Sequence, residues 1–346
     1  MYPYSDPAVG QIRYKRTEDV MNFQNLEYFR AVARERNITK AAEQLGITQQ
    51  ALSNQIGRLE QELGCRLFDR SRGFELTPSG RYFLDSAERI LDISHQTETV
   101  INDINANNRG ELKIGISFSR GQAILPLLLP AFTRKFPKVM LSITEGSTRE
   151  LESLLARGSI DIMIGYTPFM LETSESVDLF SEDIYLVAPV SLLSEKFGSS
   201  WEKIVSGYRK KPDLKIFADM PFVLLKKGDR IRTMVDQECF NSGFTPRIIT
   251  ETENIQTAFA LAAEGMGFSV CPRLYLDSPY TIAGSIDSEI RKKVVLLSFS
   301  DRRFDTIAVG YNSERYLSNI ARDFIDMSVE MYKSRASQDG GRNKPS

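Results

Sequence analysis

Between Thr39 and Leu63 the chain carries two short helical periods of apolar and polar positions, separated by Leu45-Gly46-Ile47. In the second, Leu52, Ile56, Leu59 and Leu63 recur at spacings of four, three and four, which gathers them on one buried face. Thr48, Gln49, Gln50, Ser53, Asn54 and Arg58 are left at the start and on the other faces of that helix. Thr39 and Thr48 occupy expected N-cap positions, and Gly46 stands where the first helix must end. An apolar back with a polar front is the pattern of a helix-turn-helix, whose second helix reads DNA. Glutamine and asparagine suit adenine edges, arginine suits guanine or phosphate, and serine suits several partners. The alternative is an ordinary helical hairpin with a solvated face.

Two short apolar stretches follow, Cys65 to Asp69 and Phe74 to Leu76, around the basic, glycine-containing tip Arg70-Ser71-Arg72-Gly73. They predict a β-hairpin wing whose Arg70 and Arg72 reach phosphates or a minor groove. Two solvated loop arginines are the plainer reading. Thr77-Pro78 then combines an N-cap with proline at the first helical position, predicting a helix that runs to about Asn107. A helix of nearly thirty residues spans roughly 40 Å. Along it Phe83, Ala87, Ile90, Ser94, Thr97, Ile101 and Ile104 form a heptad-like seam with two polar interruptions. The expected partner is the same helix of a second subunit; packing on the chain's own C-terminal domain is the alternative.

Residues 22 to 82 resemble the winged helix-turn-helix of LysR-type transcriptional regulators. The resemblance is carried by Phe29, Val32, Thr39, Ala41, Ala42 and Leu45, by Thr48-Gln49-Gln50-Ala51-Leu52-Ser53, by Leu67-Phe68-Asp69-Arg70, and by Leu76-Thr77-Pro78-Ser79-Gly80. The chain departs from that pattern with Gln50 where proline is common, Asn54 where a basic residue is common, and Gly57 inside the reading helix. These changes bear on which operator is read, not on the fold.

After Asn107-Asn108-Arg109-Gly110, strand-like runs alternate with amphipathic helices, as in α/β architecture. One series comprises Leu112 to Ile116, Val139 to Thr144, Ile160 to Gly165 and Tyr185 to Ala188. A second comprises Phe222 to Leu225, Arg247 to Thr250 and Gly267 to Cys271, and Val294 to Phe299 with Thr306 to Tyr311 return to the first. Arg157-Gly158-Ser159-Ile160-Asp161-Ile162 and Ala262-Ala263-Glu264-Gly265-Met266-Gly267-Phe268 resemble the LysR effector domain, itself similar to periplasmic solute-binding proteins.

The expected fold is therefore α/β with an N-terminal winged helix-turn-helix, a long linker helix and a two-lobed α/β effector domain. The expected divisions are an irregular extension at 1–20, a DNA-binding domain at 21–77, a dimerisation helix at 78–108, an effector domain at 109–335 and a disordered tail at 336–346. Within the effector domain, lobe 1 takes 109–188 and 280–335, and lobe 2 takes 189–279.

Ligands of open α/β sheets bind beyond the carboxyl ends of strands, where helix N-termini favour anions. That rule selects Ser117, Ser119, Arg120, Ser147, Thr148, Tyr166 and Thr167 from the first lobe, and Lys227, Arg230, Thr252 and Asn254 from the second. The plainer reading is helix caps for the hydroxyls and solvated charges for Lys227 and Arg230. Ser119 and Thr148 are the leading candidates, and a small carboxylate or phosphate-bearing metabolite is the expected ligand class. The resemblance implies an effector between the lobes, and tetramers built from dimers.

Composition adds little. A chain of 346 residues, 42% hydrophobic and 26% charged, holds more than one core. The net charge of −1 requires that DNA attraction come from a local patch, Arg58, Arg66, Arg70 and Arg72. No apolar run suits a bilayer and no secretory h-region opens the chain, so no membrane association and a cytoplasmic location are expected. Cys65, Cys239 and Cys271 follow no metal or redox spacing and read as small buried residues, and His95 lies on the linker helix. No cofactor, metal or catalytic residue is expected. The rival class is a solute-binding or enzymatic α/β protein with an unrelated helical domain; no phosphate loop, nucleophile elbow or metal triad favours it.

Overall fold

The computed structural model describes residues 22–104, 110–281, 284, 292–299 and 306–339. The expected extension at 1–20 lies outside them. The chain divides into two compact units, one ending at Ile101 and the other starting at Asn102.

In the first unit α1 (Phe23–Glu35), α2 (Ile38–Gln44) and α3 (Gln49–Leu63) precede a hairpin of β1 (Phe68–Asp69) and β2 (Glu75–Leu76), and then α4 (Pro78–Ile104). Phe29, Leu52, Ile56, Leu59, Phe68, Phe83 and Ala87 make one core. Phe29 packs on Phe68 and Phe83 at centroid distances of 5.0 and 4.8 Å, so helix, wing and linker share one aromatic cluster. Thr48 caps α3 as expected, accepting from the Ala51 N–H. Asn37, not Thr39, caps α2, because its carboxamide already satisfies the Thr39 and Lys40 N–H groups. Leu63 is exposed, beyond the end of the buried stripe. Gly80 is demanded by sterics: a Cβ there would stand 2.0 Å from the Leu67 carbonyl oxygen.

In the second unit, lobe 1 is built on a five-stranded sheet in the order β4 (Val139–Glu145), β3 (Gly110–Ile116), β5 (Ile162–Tyr166), β12 (Thr306–Asn312) and β6 (Ser174–Ser181). β3 runs parallel to β4 and β5, whereas β12 is antiparallel to β5 and β6. Around it lie α5 (Phe118–Lys135), α6 (Thr148–Ala156) and α12 (Asn319–Asp339). Lobe 2 contains β7 (Ile184–Pro189) between β10 (Ser269–Pro272) and β11 (Val294–Ser298), and a parallel pair, β8 (Pro221–Leu225) with β9 (Arg247–Thr252). Val223 N–H donates to the Phe268 carbonyl and Phe268 N–H to that of Pro221, joining the two sets. Its helices are α7 (Val190–Phe197), α8 (Trp201–Lys210), α9 (Arg230–Asn241), α10 (Ile255–Ala263) and α11 (Arg273–Asp277).

Two expected boundaries move. Tyr185 to Ala188 and Val294 to Phe299, expected in lobe 1, form β7 and β11 and pair with each other. The chain thus passes between lobes at Glu182-Asp183, before β7, and returns only after β11. Hydrophobic runs mark strands but not their neighbours, which is why both were misplaced. The tail also shortens: α12 continues to Asp339, so 336–339 are helical, and 340–346 lie outside the described residues.

Candidate DNA-reading face and effector cleft

On α3 the apolar stripe turns inward, and Thr48, Gln49, Gln50, Asn54 and Arg58 are exposed, with Ser53 half-buried among them. Thr48 and Gln49 are thus exposed at the N-terminal end of α3, while Gln50, Ser53, Asn54 and Arg58 lie along the side opposite its buried stripe. Arg70 is held differently from expectation. Its guanidinium donates to Glu60 at 3.1 Å and stacks 5.9 Å from the Phe74 ring, which turns it toward the end of α3. Glu60 also accepts from the Leu67 and Phe68 N–H groups at 2.8 and 3.1 Å, fastening the wing to the reading helix. Sequence inspection missed this role, because a glutamate on a helical face carries no signal of a contact beyond that helix. The side chain of Arg72 lies outside the described residues.

The effector candidates separate into spent and convergent groups. Ser147 forms a capping box with Glu150, holding that carboxyl below its usual range through the Ser147 N–H and hydroxyl. Asn254 caps α10 by accepting from Gln256 N–H at 2.8 Å, and the Thr252 hydroxyl accepts from Asn254 N–H at 3.2 Å. The Thr167 hydroxyl points to the Thr306 carbonyl at 3.4 Å. Of these four, Ser147 and Asn254 are helix caps, Thr252 supports the N-cap residue of α10, and Thr167 reaches across to β12. Lys227 lines a cavity of about 730 Å³ with Arg232, Phe244 and Ile249 between α9 and β9, away from the strand ends of lobe 1. Thr148 is exposed at the first turn of α6 and Ser119 is half-buried at the first turn of α5.

Arg120, Tyr166 and Arg230 converge. Arg120 is buried and lies 4.5 Å from the centroid of the Tyr166 ring, and Arg230, from the other lobe, lies 5.7 Å from the same ring. Arg120 donates to the hydroxyl of Ser117 at 3.1 Å, and Ser117 stands at the N-cap of α5 without capping it. Arg230 donates to the consecutive carbonyls of Tyr166, Thr167 and Pro168, bridging the lobes. A second bridge runs from the buried Gln256 of α10 to Gln122 of α5.

Beneath them the Tyr166 hydroxyl donates to Glu182, which is buried at the crossing point between lobes. Burial pushes the Glu182 carboxyl above its ordinary range, opposed by Arg120, the Tyr166 hydroxyl and the Leu274 N–H. Burial also opposes the Arg120 cation, but Tyr275, Tyr166 and Glu182 outweigh it and raise its pKa. Asp229, capping α9, is likewise raised by burial. Glu182, Tyr275, Gln122 and Gln256 escaped sequence inspection, since none follows the end of a strand assigned to the site.

A winged helix-turn-helix, a long helix and a two-lobed α/β domain with polar groups converging between the lobes define a DNA-binding regulator with a small-molecule sensor. The comparisons agree. The model of the bacterial regulatory helix-turn-helix protein, lysR family, matches residues 23–81, and that of the LysR substrate binding domain matches residues 105–333. The chain belongs to the LysR family and is a DNA-binding transcriptional regulator with an effector-binding domain. It is 30% identical to the uncharacterized HTH-type transcriptional regulator YcgK of Bacillus subtilis (strain 168), over 90% of this chain and 95% of that one. It is 33% identical to the HTH-type transcriptional regulator ShiR of Corynebacterium glutamicum (strain R), over 72% and 82% respectively. The crystal structure of full-length CbnR complexed with its target DNA superposes with a TM-score of 0.62 at 26% identity, covering 90% of this chain and 100% of that one. No helix among the described residues is long and apolar enough to cross a membrane.

Proposed function

We propose that this regulator reads an inverted-repeat operator with the exposed face of α3, dimerises through α4, and is switched in the cytoplasm by a small anionic effector held between Arg120 and Arg230. The observation that carries the effector reading is the pair of guanidinium groups, one from each lobe, on a single tyrosine ring. A carboxylate or phosphate gains most where two arginines converge in a low-dielectric cleft. To reach Arg230 it must replace the backbone carbonyls that this side chain now holds, so ligand affinity is linked to how the lobes close.

The reading of DNA is tested by selecting genomic fragments with the purified full chain. A shared inverted repeat among the recovered sites supports the proposal, and random recovery removes it. Arg58→Ala is expected to weaken binding to the selected site by about 1–3 kcal/mol if it meets a base, or less with a reduced salt slope if it meets a phosphate. Unchanged binding excludes both contacts.

A further inference from the structure

The buried cluster beneath Arg230 holds two polar atoms without a hydrogen-bond partner, and they are complementary. Arg120 Nε is a donor lacking an acceptor, and Glu182 Oε1 is an acceptor lacking a donor. Both side chains are more than nine-tenths buried. Leaving buried polar atoms unsatisfied is costly, so a native cluster that keeps two invites an explanation. They do not satisfy each other: Arg120 covers the ring face of Tyr166, and Glu182 accepts from its hydroxyl.

A ligand that supplies one acceptor and one donor to these atoms must be short, since both ends are fixed by groups touching the same phenol. Resting on the anionic-effector reading above, we propose that the effector is an α-substituted carboxylic acid, an amino or hydroxy acid. Its carboxylate is received by Arg120 Nε–H and Arg230, and its α-amino or α-hydroxyl group donates to Glu182 Oε1. Entry requires the Arg230 and Gln256 bridges to part, because they span the lobes over this cluster. A simple carboxylate satisfies the arginines but leaves Glu182 Oε1 unanswered.

The test is thermal-shift titration of the full chain with three size-matched probes, L-alanine, L-lactate and propionate, at fixed pH and ionic strength. At least one of the two α-substituted acids is expected to bind about ten- to a hundredfold more tightly than propionate, the scale of one hydrogen bond to a charged group. Glu182→Gln is expected to reduce that preference while leaving propionate binding in place. Equal affinity for all three probes, no binding of any, or an undiminished preference in Glu182→Gln overturns the proposal. DNA binding measured on the same samples separates this failure from failure of the regulator reading, which the probes do not touch. If Glu182→Gln does not fold, the wild-type comparison of the three probes still decides.

Discussion

Glu182 is the residue whose environment departs furthest from its sequence context. In sequence it is one carboxylate in the short link between β6 and β7; in the fold it is buried with Tyr166, Arg120, Tyr275 and Cys271 around it. Its carboxyl is raised from the unfolded value of 4.5, and burial is the largest cause. A raised folded-state value means that its favourable contribution is fully present below 4.5 and is lost as pH rises through the higher folded value. Glu182→Gln removes this titration. The unfolding temperature of the variant relative to wild type is therefore expected to climb as pH is taken from about 4.5 toward 8, and a difference independent of pH would show that Glu182 ionises normally. The same burial explains why only part of the site was legible. Arg120, Tyr166 and Arg230 follow the rule of strand ends, whereas Glu182 and Gln256 enter through lobe crossing and helix packing.

At the scale of elements, local chemistry wrote the helices and long-range contacts wrote the wing. Thr48, Gly64 and Pro78 mark helix limits that the structure keeps, Gly64 in the left-handed region with φ 66°. The hairpin by contrast depends on Glu60, whose carboxylate serves two backbone N–H groups and Arg70. Glu60→Ala should cost about 1–3 kcal/mol through the stranded, part-buried N–H groups, read as a lowered unfolding midpoint of the first unit. No loss would mean that water replaces the carboxylate. Gly57 tests the opposite sign. A Cβ there meets nothing within 4 Å, so Gly57→Ala should stabilise α3 by up to about 1 kcal/mol by reducing backbone entropy in the unfolded chain. A lowered midpoint would refute that, and weakened operator binding with a raised midpoint would show that the glycine serves DNA reading. Strand order was the illegible part, because β7 and β11 carry apolar runs that fit either sheet equally well.

At the scale of the whole molecule the surface that tests the proposed dimer is the exposed side of α4. Its first half belongs to the core of the DNA-binding unit through Phe83, Ala87 and Leu91. Tyr82, Ile93, Ile101 and Ile104 are 79%, 64%, 51% and 77% exposed, an apolar stripe that a solitary helix in water has no reason to keep. Of the seam expected from the heptad, the first members Phe83 and Ala87 are core residues and the terminal isoleucines remain open. A second copy meeting the stripe about a two-fold axis buries each isoleucine twice per dimer. At about 1.5–3 kcal/mol for one buried isoleucine side chain, Ile101→Glu should remove at least twice that from the assembly, a weakening of more than a hundredfold in dimerisation. Sedimentation equilibrium reads the dissociation directly. Because both reading heads must be joined to profit from two half-sites, the variant should also lose affinity for an inverted repeat while retaining it for a single half-site. A dimer of undiminished strength would move the interface off α4, and a dimer weakened without loss on the inverted repeat would separate self-association from DNA reading.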